Sequence, residues 1–102
     1  TIPWQHPDNY SAFHLYIIRL KLDQTSKSQR EVFTELHSAG IGVNLHYIPV
    51  YRQPYYEQLG FKAGHCPESE KYYAEVLSLP MYPMLTNKKL SYVTSSLSKF
   101  IC

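Results

Sequence analysis

The stretch from residue 26 to residue 40 constrains the fold most, because both of its ends carry helix signals. Two overlapping capping-box patterns, which begin at Ser26 and Ser28, predict a helix start near 26–29. Gly40 supplies the stop at the other end. The apolar residues between these signals share one helical face: Val32, Phe33, Leu36 and Ala39. We therefore predict an amphipathic helix that packs on a sheet.

Three short segments have the composition of β-strands. Residues 12–20 are aromatic and β-branched, and both faces of the predicted strand are apolar, which is typical of a central strand. Residues 43–46 alternate between apolar and polar side chains and predict a second strand. Ser78 and Leu79 predict a short third strand before Pro80 breaks the chain.

Prolines, glycines and a capping threonine place the remaining helices. Residues 47–66 contain two prolines and two glycines, which predict an irregular excursion with one helical turn around 54–59. Pro67 fits the first position of a helix that runs to about Leu77. Thr86 fits the N-cap of a last helix. The apolar stripe of that helix is predicted to be Leu90, Val93, Leu97 and Phe100.

The order of these elements predicts a small α+β fold. We expect about three strands in an antiparallel sheet, with the helices packed on one face. The 102 residues fit one domain, 1–102, of common size. The order of the strands in the sheet does not follow from the sequence.

Composition and charge exclude several classes of protein. Hydrophobic residues make up 44% of the chain and charged residues 18%, which indicates a globular protein rather than a disordered one. A net charge of +2 without a basic block argues against nucleic acid or membrane as a partner. Residues 1–6 lack the features of a signal peptide. Because Cys66 and Cys102 form no CxxC motif, we expect no disulfide scaffold and a cytoplasmic location.

Motifs for catalysis or metal binding are missing from the sequence. It contains no P-loop, GxGxxG, GxSxG or HExxH pattern. The adjacent His65 and Cys66 would supply two metal ligands at most, so we expect no metal site. A Cys–His nucleophile pair stays formally open there, and an ordinary loop thiol is the simpler interpretation. We expect no catalytic, cofactor-binding or metal-binding residue in this chain.

One segment concentrates side chains that are suited to binding. Ten of the 102 residues are tyrosines, and four of them lie in residues 42–56, together with His46 and Arg52. A loop stiffened by prolines can present such groups from a rigid base. The alternative interpretation is that these tyrosines cover the end of the sheet and that the prolines shape a turn. We refer to these residues as the 42–56 segment.

Several stretches, taken in order along the chain, carry a family resemblance. They are HLY at 14–16, GIGVNLHYIPVY at 40–51, QPYY at 53–56, LG at 59–60, CPxxE at 66–70, LSLPMYP at 77–83 and LT at 85–86. On these residues the chain resembles the DegT/DnrJ/EryC1/StrS family of sugar aminotransferases. Within that family, residues 43–50 are most similar to the aminotransferases of the pseudaminic acid pathway. Those enzymes aminate the 4-keto group of a UDP-linked 4-keto-6-deoxy-HexNAc sugar.

The resemblance implies a fold type I, pyridoxal-phosphate-dependent transaminase that works as a homodimer on a UDP-sugar, with an amino donor such as glutamate. This chain would be the C-terminal small domain. A large N-terminal domain would supply the lysine, the carboxylate and the phosphate cradle that hold the cofactor. Lys21 does not lie in the sequence context of the family's lysine. We therefore expect no pyridoxal phosphate on this chain alone, and no activity.

The resemblance also implies where the substrate binds. The small domain would close over the cofactor cleft and line its sugar-nucleotide end. The residues expected to orient sugar and phosphate groups there are His46, Tyr47, Tyr51 and Arg52. Many relatives have histidine at the position of Tyr51, so a sugar contact through an imidazole there is in doubt. His14, on the first predicted strand, is expected to be a hydrogen-bonded core residue.

Two other functions remain as alternatives. One is a stand-alone α+β binding module whose tyrosine-rich loop recognises a small ligand or a peptide. The other, an RNA-binding α+β fold, lacks the paired aromatic strand motif and the basic face that it needs. A domain taken from a larger dimer should expose apolar surface. The residues expected on that surface are Val50, Tyr55, Tyr56, Met81 and Met84.

Overall fold

The structure is a computed structural model that describes residues 1–101. Within that range it contains β1 (Tyr16–Arg19), α1 (Gln29–Ser38), a 3-10 turn (Val50–Arg52), α2 (Pro54–Gln58), α3 (Pro67–Glu75), β2 (Val76–Leu79) and α4 (Asn87–Ile101). The predicted α+β class is confirmed. The prediction that concerns Cys102 lies outside the described residues.

The sheet has two antiparallel strands rather than about three. β1 pairs with β2 from Tyr16 opposite Leu79 to Arg19 opposite Val76. The predicted strand at 43–46 contributes one isolated bridge, in which Asn44 and Ser78 exchange backbone hydrogen bonds of 3.1 and 2.8 Å. The ladder ends there because the Asn44 side chain accepts the next backbone N–H itself.

The first strand is shorter than predicted and lies at the edge of the sheet. Phe13 has a positive φ of 43° and donates its backbone N–H to the hydroxyl of Ser11, so the chain bends before β1. His14 follows this bend and is exposed to solvent. The prediction that His14 is a core residue is therefore wrong. On the outer side of β1, Arg19 and Thr1 exchange backbone hydrogen bonds.

Helix α1 begins and ends as its sequence signals predict. Of the two capping boxes, the one at Ser28 forms: its hydroxyl accepts the N–H of Glu31, and the Glu31 carboxylate accepts the N–H of Ser28. Gly40 has a φ of +75°, a conformation that favours glycine, just after the helix ends. Val32 and Leu36 are fully buried, and the helix lies against β2.

The core lies between the sheet, α1 and α4. Its buried side chains are Ile18, Leu20, Val32, Leu36, Ile41, Val43, Leu77 and Val93. Helix α4 begins after Thr86, whose hydroxyl accepts the N–H of Lys89 as predicted. On the predicted stripe of α4, Val93 is buried, whereas Leu90 is 48% exposed. Helix α3 ends at Glu75, two residues earlier than predicted, because β2 begins at the next residue.

The chain exposes more surface than a compact protein of its mass. Its accessible surface is 7614 Å², whereas a compact monomer of 11.9 kDa exposes about 5,900 Å². Its radius of gyration is 15.6 Å, against about 13 Å for a compact domain of 102 residues. The elements outside the core account for this extension, since the 3-10 turn, α2 and α3 contain no buried residue.

No helix among the described residues is long and apolar enough to cross a membrane.

Candidate functional site

The 42–56 segment is anchored in the core at its beginning. Val43 is 4% exposed and Asn44 bridges to Ser78 on β2. Beyond this bridge, His46 is half-buried, and its Nδ1 atom lies 2.6 Å from the hydroxyl of Ser78. Because Ser78 itself is only 5% exposed, a buried group of the sheet fixes the imidazole. His46 is thus held by the fold rather than displayed to solvent.

Tyr47 is displayed instead. Its ring meets the imidazole of His46 edge to face, with 4.6 Å between the ring centroids. It is 72% exposed, and the following residue, Ile48, is 40% exposed. A tyrosine that rests on a fixed imidazole offers a flat apolar face and a hydroxyl to a ligand.

Tyr51 turns towards α3. Its hydroxyl donates to Oε1 of Glu70 over 2.7 Å and accepts the N–H of Cys66 at 3.3 Å. The same Glu70 oxygen accepts the N–H of Gly64 at 2.8 Å. The Tyr51 hydroxyl has one proton to donate, and the Cys66 carbonyl oxygen lies 3.2 Å away as a second acceptor. The proton goes to Glu70 because the carboxylate oxygen is closer and charged.

These contacts raise the pKa of the Tyr51 hydroxyl and lower the pKa of the Glu70 carboxyl. Partial burial raises the pKa of the Tyr51 hydroxyl, and the hydrogen bond to Glu70 raises it further. The hydrogen bond from Tyr51 lowers the pKa of the Glu70 carboxyl, and the Gly64 N–H and the nearby guanidinium of Arg52 act in the same direction. At neutral pH the pair is therefore a neutral phenol that donates to an ionised carboxylate.

Arg52 lies between two carboxylates. Its Nε donates to Glu57 over 3.2 Å, and its Nη1 lies 3.7 Å from Oε1 of Glu70. Nη2 makes no hydrogen bond within residues 1–101. Since a guanidinium has five donors, Arg52 keeps hydrogen-bonding capacity for an anionic ligand.

The structure brings the four predicted substrate-binding residues together as two pairs. His46 contacts Tyr47, whereas Tyr51 and Arg52 both meet Glu70. No hydrogen bond, ion pair or ring contact joins one pair to the other in the part of the chain that the structure describes. Their role in binding substrate stays a prediction.

The sequence interpretation missed two members of this site. Ser78, which fixes His46, was assigned only to a strand. Glu70, which contacts Tyr51 and Arg52, lies in the helix predicted to begin at Pro67 and has no predicted role in binding. A signal for Glu70 was present, because it is the last residue of the CPxxE stretch at 66–70.

A cavity of about 640 Å³ lies elsewhere, between the N-terminal residues and β1. Trp4, His14, Arg19 and Tyr72 are among the residues that line it, and the four predicted substrate-binding residues are not. The Arg19 guanidinium in the lining of this cavity already forms an ion pair with Glu75, at 2.6 Å. The cavity therefore offers an anionic ligand little uncompensated charge.

The side chains near Cys66 do not form a metal site. Residues 1–101 contain no group of three or more His, Cys, Asp or Glu side chains that could hold a metal ion. The ring of His65 lies against Tyr51 and Phe61, with centroid distances of 5.4 and 5.0 Å. The imidazole is thus part of an aromatic row.

The lysine side chains whose contacts the structure gives bond to groups outside the 42–56 segment. Lys27 pairs with Glu35 at 2.6 Å, and Lys89 lies near the Tyr82 hydroxyl. Lys21 lines a groove together with Lys71 and Glu75. Within residues 1–101, no hydrogen bond or ion pair joins a lysine side chain to the segment.

Comparison with known proteins identifies the family. A model of the DegT/DnrJ/EryC1/StrS aminotransferase family matches residues 1–98. The spore coat polysaccharide biosynthesis protein SpsC of Bacillus subtilis (strain 168) is 36% identical over 87 residues, which are 83% of this chain and 22% of SpsC.

Solved structures of similar proteins give the same result for the fold. DesV of S. venezuelae, in complex with a ketimine intermediate, is 27% identical with a TM-score of 0.82, over 98% of this chain and 26% of DesV. PseC of Helicobacter pylori, an aminotransferase involved in the biosynthesis of pseudoaminic acid, is 27% identical with a TM-score of 0.76. That match covers 86% of this chain and 23% of PseC. The chain thus spans about a quarter of the length of these relatives, and it belongs to the DegT/DnrJ/EryC1/StrS aminotransferase family.

Proposed function

We propose that this chain is the C-terminal small domain of a pyridoxal-phosphate-dependent nucleotide-sugar aminotransferase. One observation carries the proposal: the family match runs through residues 1–98, yet relatives such as SpsC are about four times longer than the matched region. The large surface of the chain is consistent with this. About 1,700 Å² more is exposed than a compact monomer of this mass would expose.

Several large apolar side chains of this chain are exposed to solvent. Val50 is 64% exposed, Tyr55 66% and Met84 78%, and Met81 is exposed to a lesser degree. Tyr56, which was expected in the same group, is half-buried. We infer that the large domain, or the second subunit of a homodimer, packs against this surface in the parent enzyme.

The contribution of this chain to the reaction is to hold the substrate. Tyr47 presents its ring above a fixed imidazole, which suits stacking on a sugar or a base. Arg52 retains donors at Nη2, which suits a phosphate oxygen of the nucleotide. We propose that these residues, with His46 and Tyr51 behind them, orient the sugar nucleotide and do not transfer protons.

We propose that this chain has no pyridoxal-phosphate site of its own. Within residues 1–101, no lysine side chain makes a hydrogen bond or ion pair with the 42–56 segment, and no lysine lines the cavity of about 640 Å³. We propose that the rest of the parent enzyme holds the cofactor, and that the chain alone is inactive. An amino donor such as glutamate would bind to the complete enzyme, which we expect in the cytoplasm.

The substrate that we propose is a UDP-linked 4-keto-6-deoxy-HexNAc sugar, which the parent would aminate at the 4-keto group. The similarity of residues 43–50 to pseudaminic acid aminotransferases supports this choice, and so does the structural likeness to PseC.

The test is a product assay with the complete parent enzyme. It is incubated with pyridoxal phosphate, glutamate and the UDP-linked keto sugar, and the product is analysed by mass spectrometry. A 4-amino sugar is expected. If a gene encoded only these residues, and if the chain bound a small ligand through Tyr47 and Tyr55 without any amination, the alternative of a stand-alone binding module would replace this proposal.

A further inference from the structure

A single carboxylate oxygen contacts both ends of the loop formed by residues 50–66. Oε1 of Glu70 accepts hydrogen bonds from the Tyr51 hydroxyl at 2.7 Å and from the Gly64 N–H at 2.8 Å, and Nη1 of Arg52 lies 3.7 Å away. These partners lie near the two ends of the excursion from residue 50 to residue 66. The oxygen thus joins both ends of the excursion to the first turn of α3.

Apolar burial does not fix this excursion. Neither the 3-10 turn nor α2 contains a buried residue, and α3 contains none either. The aromatic row of Tyr56, Phe61 and His65 lies at the surface, and Phe61 is 36% exposed. Since the 3-10 turn and α2 have no buried residue, the charge-assisted hydrogen bonds to Glu70 restrain the direction of the loop together with its ring contacts.

We propose that Glu70 is a positioning residue for sugar-nucleotide binding, because it fixes the directions of Tyr51 and Arg52 and thereby the loop that carries Tyr55. This inference rests on the function proposed above. Glu70 itself does not contact the substrate in this account. It sets the direction in which Arg52 presents the donors at Nη2 to the ligand.

The ionised state of Glu70 supports this role. Its carboxyl pKa is lowered by the hydrogen bonds from Tyr51 and Gly64 and by Arg52, so the charged acceptor is present at neutral pH. The acidic and basic groups that face Glu70 are Tyr51 and Arg52. Glu57 holds the other side of Arg52, and His65 lies against the ring of Tyr51.

The first experiment measures the restraint itself, in the 102-residue chain. Amide hydrogen exchange is followed at Gly64 by NMR in Glu70→Ala and Glu70→Gln, after circular dichroism has shown that each variant is folded. We expect exchange at Gly64 to become about tenfold faster in Glu70→Ala and to change less in Glu70→Gln, which keeps a neutral acceptor. Glu68→Ala is the matched control, since Glu68 lies in the same turn and is exposed. An unchanged rate at Gly64 in Glu70→Ala would overturn the proposal.

The second experiment separates positioning from stability, in the parent enzyme. Glu70→Ala is expected to raise the KM for the sugar nucleotide about tenfold, with kcat and the KM for glutamate nearly unchanged. Glu70→Gln is expected to rescue part of the loss. A KM for the sugar nucleotide that is unchanged or lower in a folded Glu70→Ala enzyme would contradict the role. If the unsubstituted parent aminated no sugar, the proposed function would fail, and the role of Glu70 in binding would fail with it.

Discussion

The imidazole of His46 is fixed to the sheet by Ser78, with 2.6 Å between Nδ1 and the serine hydroxyl. Ser78 lies in β2 opposite Ile17 of β1, and on its other side it exchanges backbone hydrogen bonds with Asn44. A change at this one buried serine therefore reaches the 42–56 segment without altering any exposed side chain.

We expect Ser78→Ala to release the imidazole of His46 and to lower the free energy of unfolding by about 1 kcal/mol, because a buried hydrogen bond is lost. The NMR signals of the His46 ring report the release of the imidazole, and urea denaturation measures the free energy of unfolding. Ser95→Ala, at an exposed position of α4, should change neither. His46 signals that stay in place in Ser78→Ala would show that the contact does not hold the ring.

Truncation of Leu36 to alanine should destabilise the fold far more than truncation of Leu90. Leu36 is fully buried between α1 and β2, whereas Leu90 is 48% exposed on α4. Leu36→Ala should lower the free energy of unfolding by about 2–5 kcal/mol, which is a large part of the stability of a domain of this size. Leu90→Ala should change it by less than about 0.5 kcal/mol. Equal losses in the two variants would mean that Leu90 is buried as the stripe pattern predicted.

Stability should depend on pH through Glu70 and Tyr51. The pKa of Glu70 is lowered in the folded state, so its contribution is present above the unfolded pKa of about 4.3 and is lost as the pH falls through the folded value. The pKa of Tyr51 is raised, so its contribution is present below about pH 10 and is lost as the pH rises through the folded value. Urea midpoints measured across the pH range should fall at both ends.

Glu70→Gln should remove part of the acid loss, because the titrating group is gone. Glu68→Gln is the matched control and should keep the full loss of stability in acid. If the loss of stability in acid were equally large in Glu70→Gln and in the unsubstituted chain, the Glu70 contacts would not contribute to the pH dependence.

The exposed apolar surface should make the chain associate with itself. Val50, Tyr55 and Met84 are each more than half exposed, and exposed apolar surface favours association. Sedimentation velocity should show an apparent mass that rises with protein concentration, and a hydrophobic dye should bind. Substitution of these three residues by serine should restore a monomer. A clean monomer at high concentration without dye binding would count against the large partner surface.

Much of the fold followed from local signals. The Ser28 capping box, the Gly40 stop and the Pro67 helix start are short patterns with a direct physical cause, and each one formed. The choice between Ser26 and Ser28 did not follow from the sequence, because both fit the same pattern.

The misses came from side chains that bond to nearby backbone. Ser11 bends the chain at Phe13, so His14 leaves the sheet. Asn44 accepts the N–H that would have continued a strand. Such local hydrogen bonds compete with the ladder, and they leave no periodic trace in the sequence.

The candidate site could be predicted as a segment but not as a set of contacts. Composition drew attention to the 42–56 segment, and the family resemblance implied His46, Tyr47, Tyr51 and Arg52 within it. Glu70 is far from that stretch in sequence, and only the path of the loop brings it to Tyr51.

We propose that this chain is one part of a cofactor-dependent enzyme and lacks a cofactor site of its own. A titration of the 102-residue chain with pyridoxal phosphate tests it most directly, with the red-shifted absorbance of a lysine-bound cofactor as the signal and UDP-sugar binding followed in parallel. We expect no stoichiometric red shift, and weak sugar-nucleotide binding at most. A stoichiometric signal that one lysine substitution abolishes would contradict it.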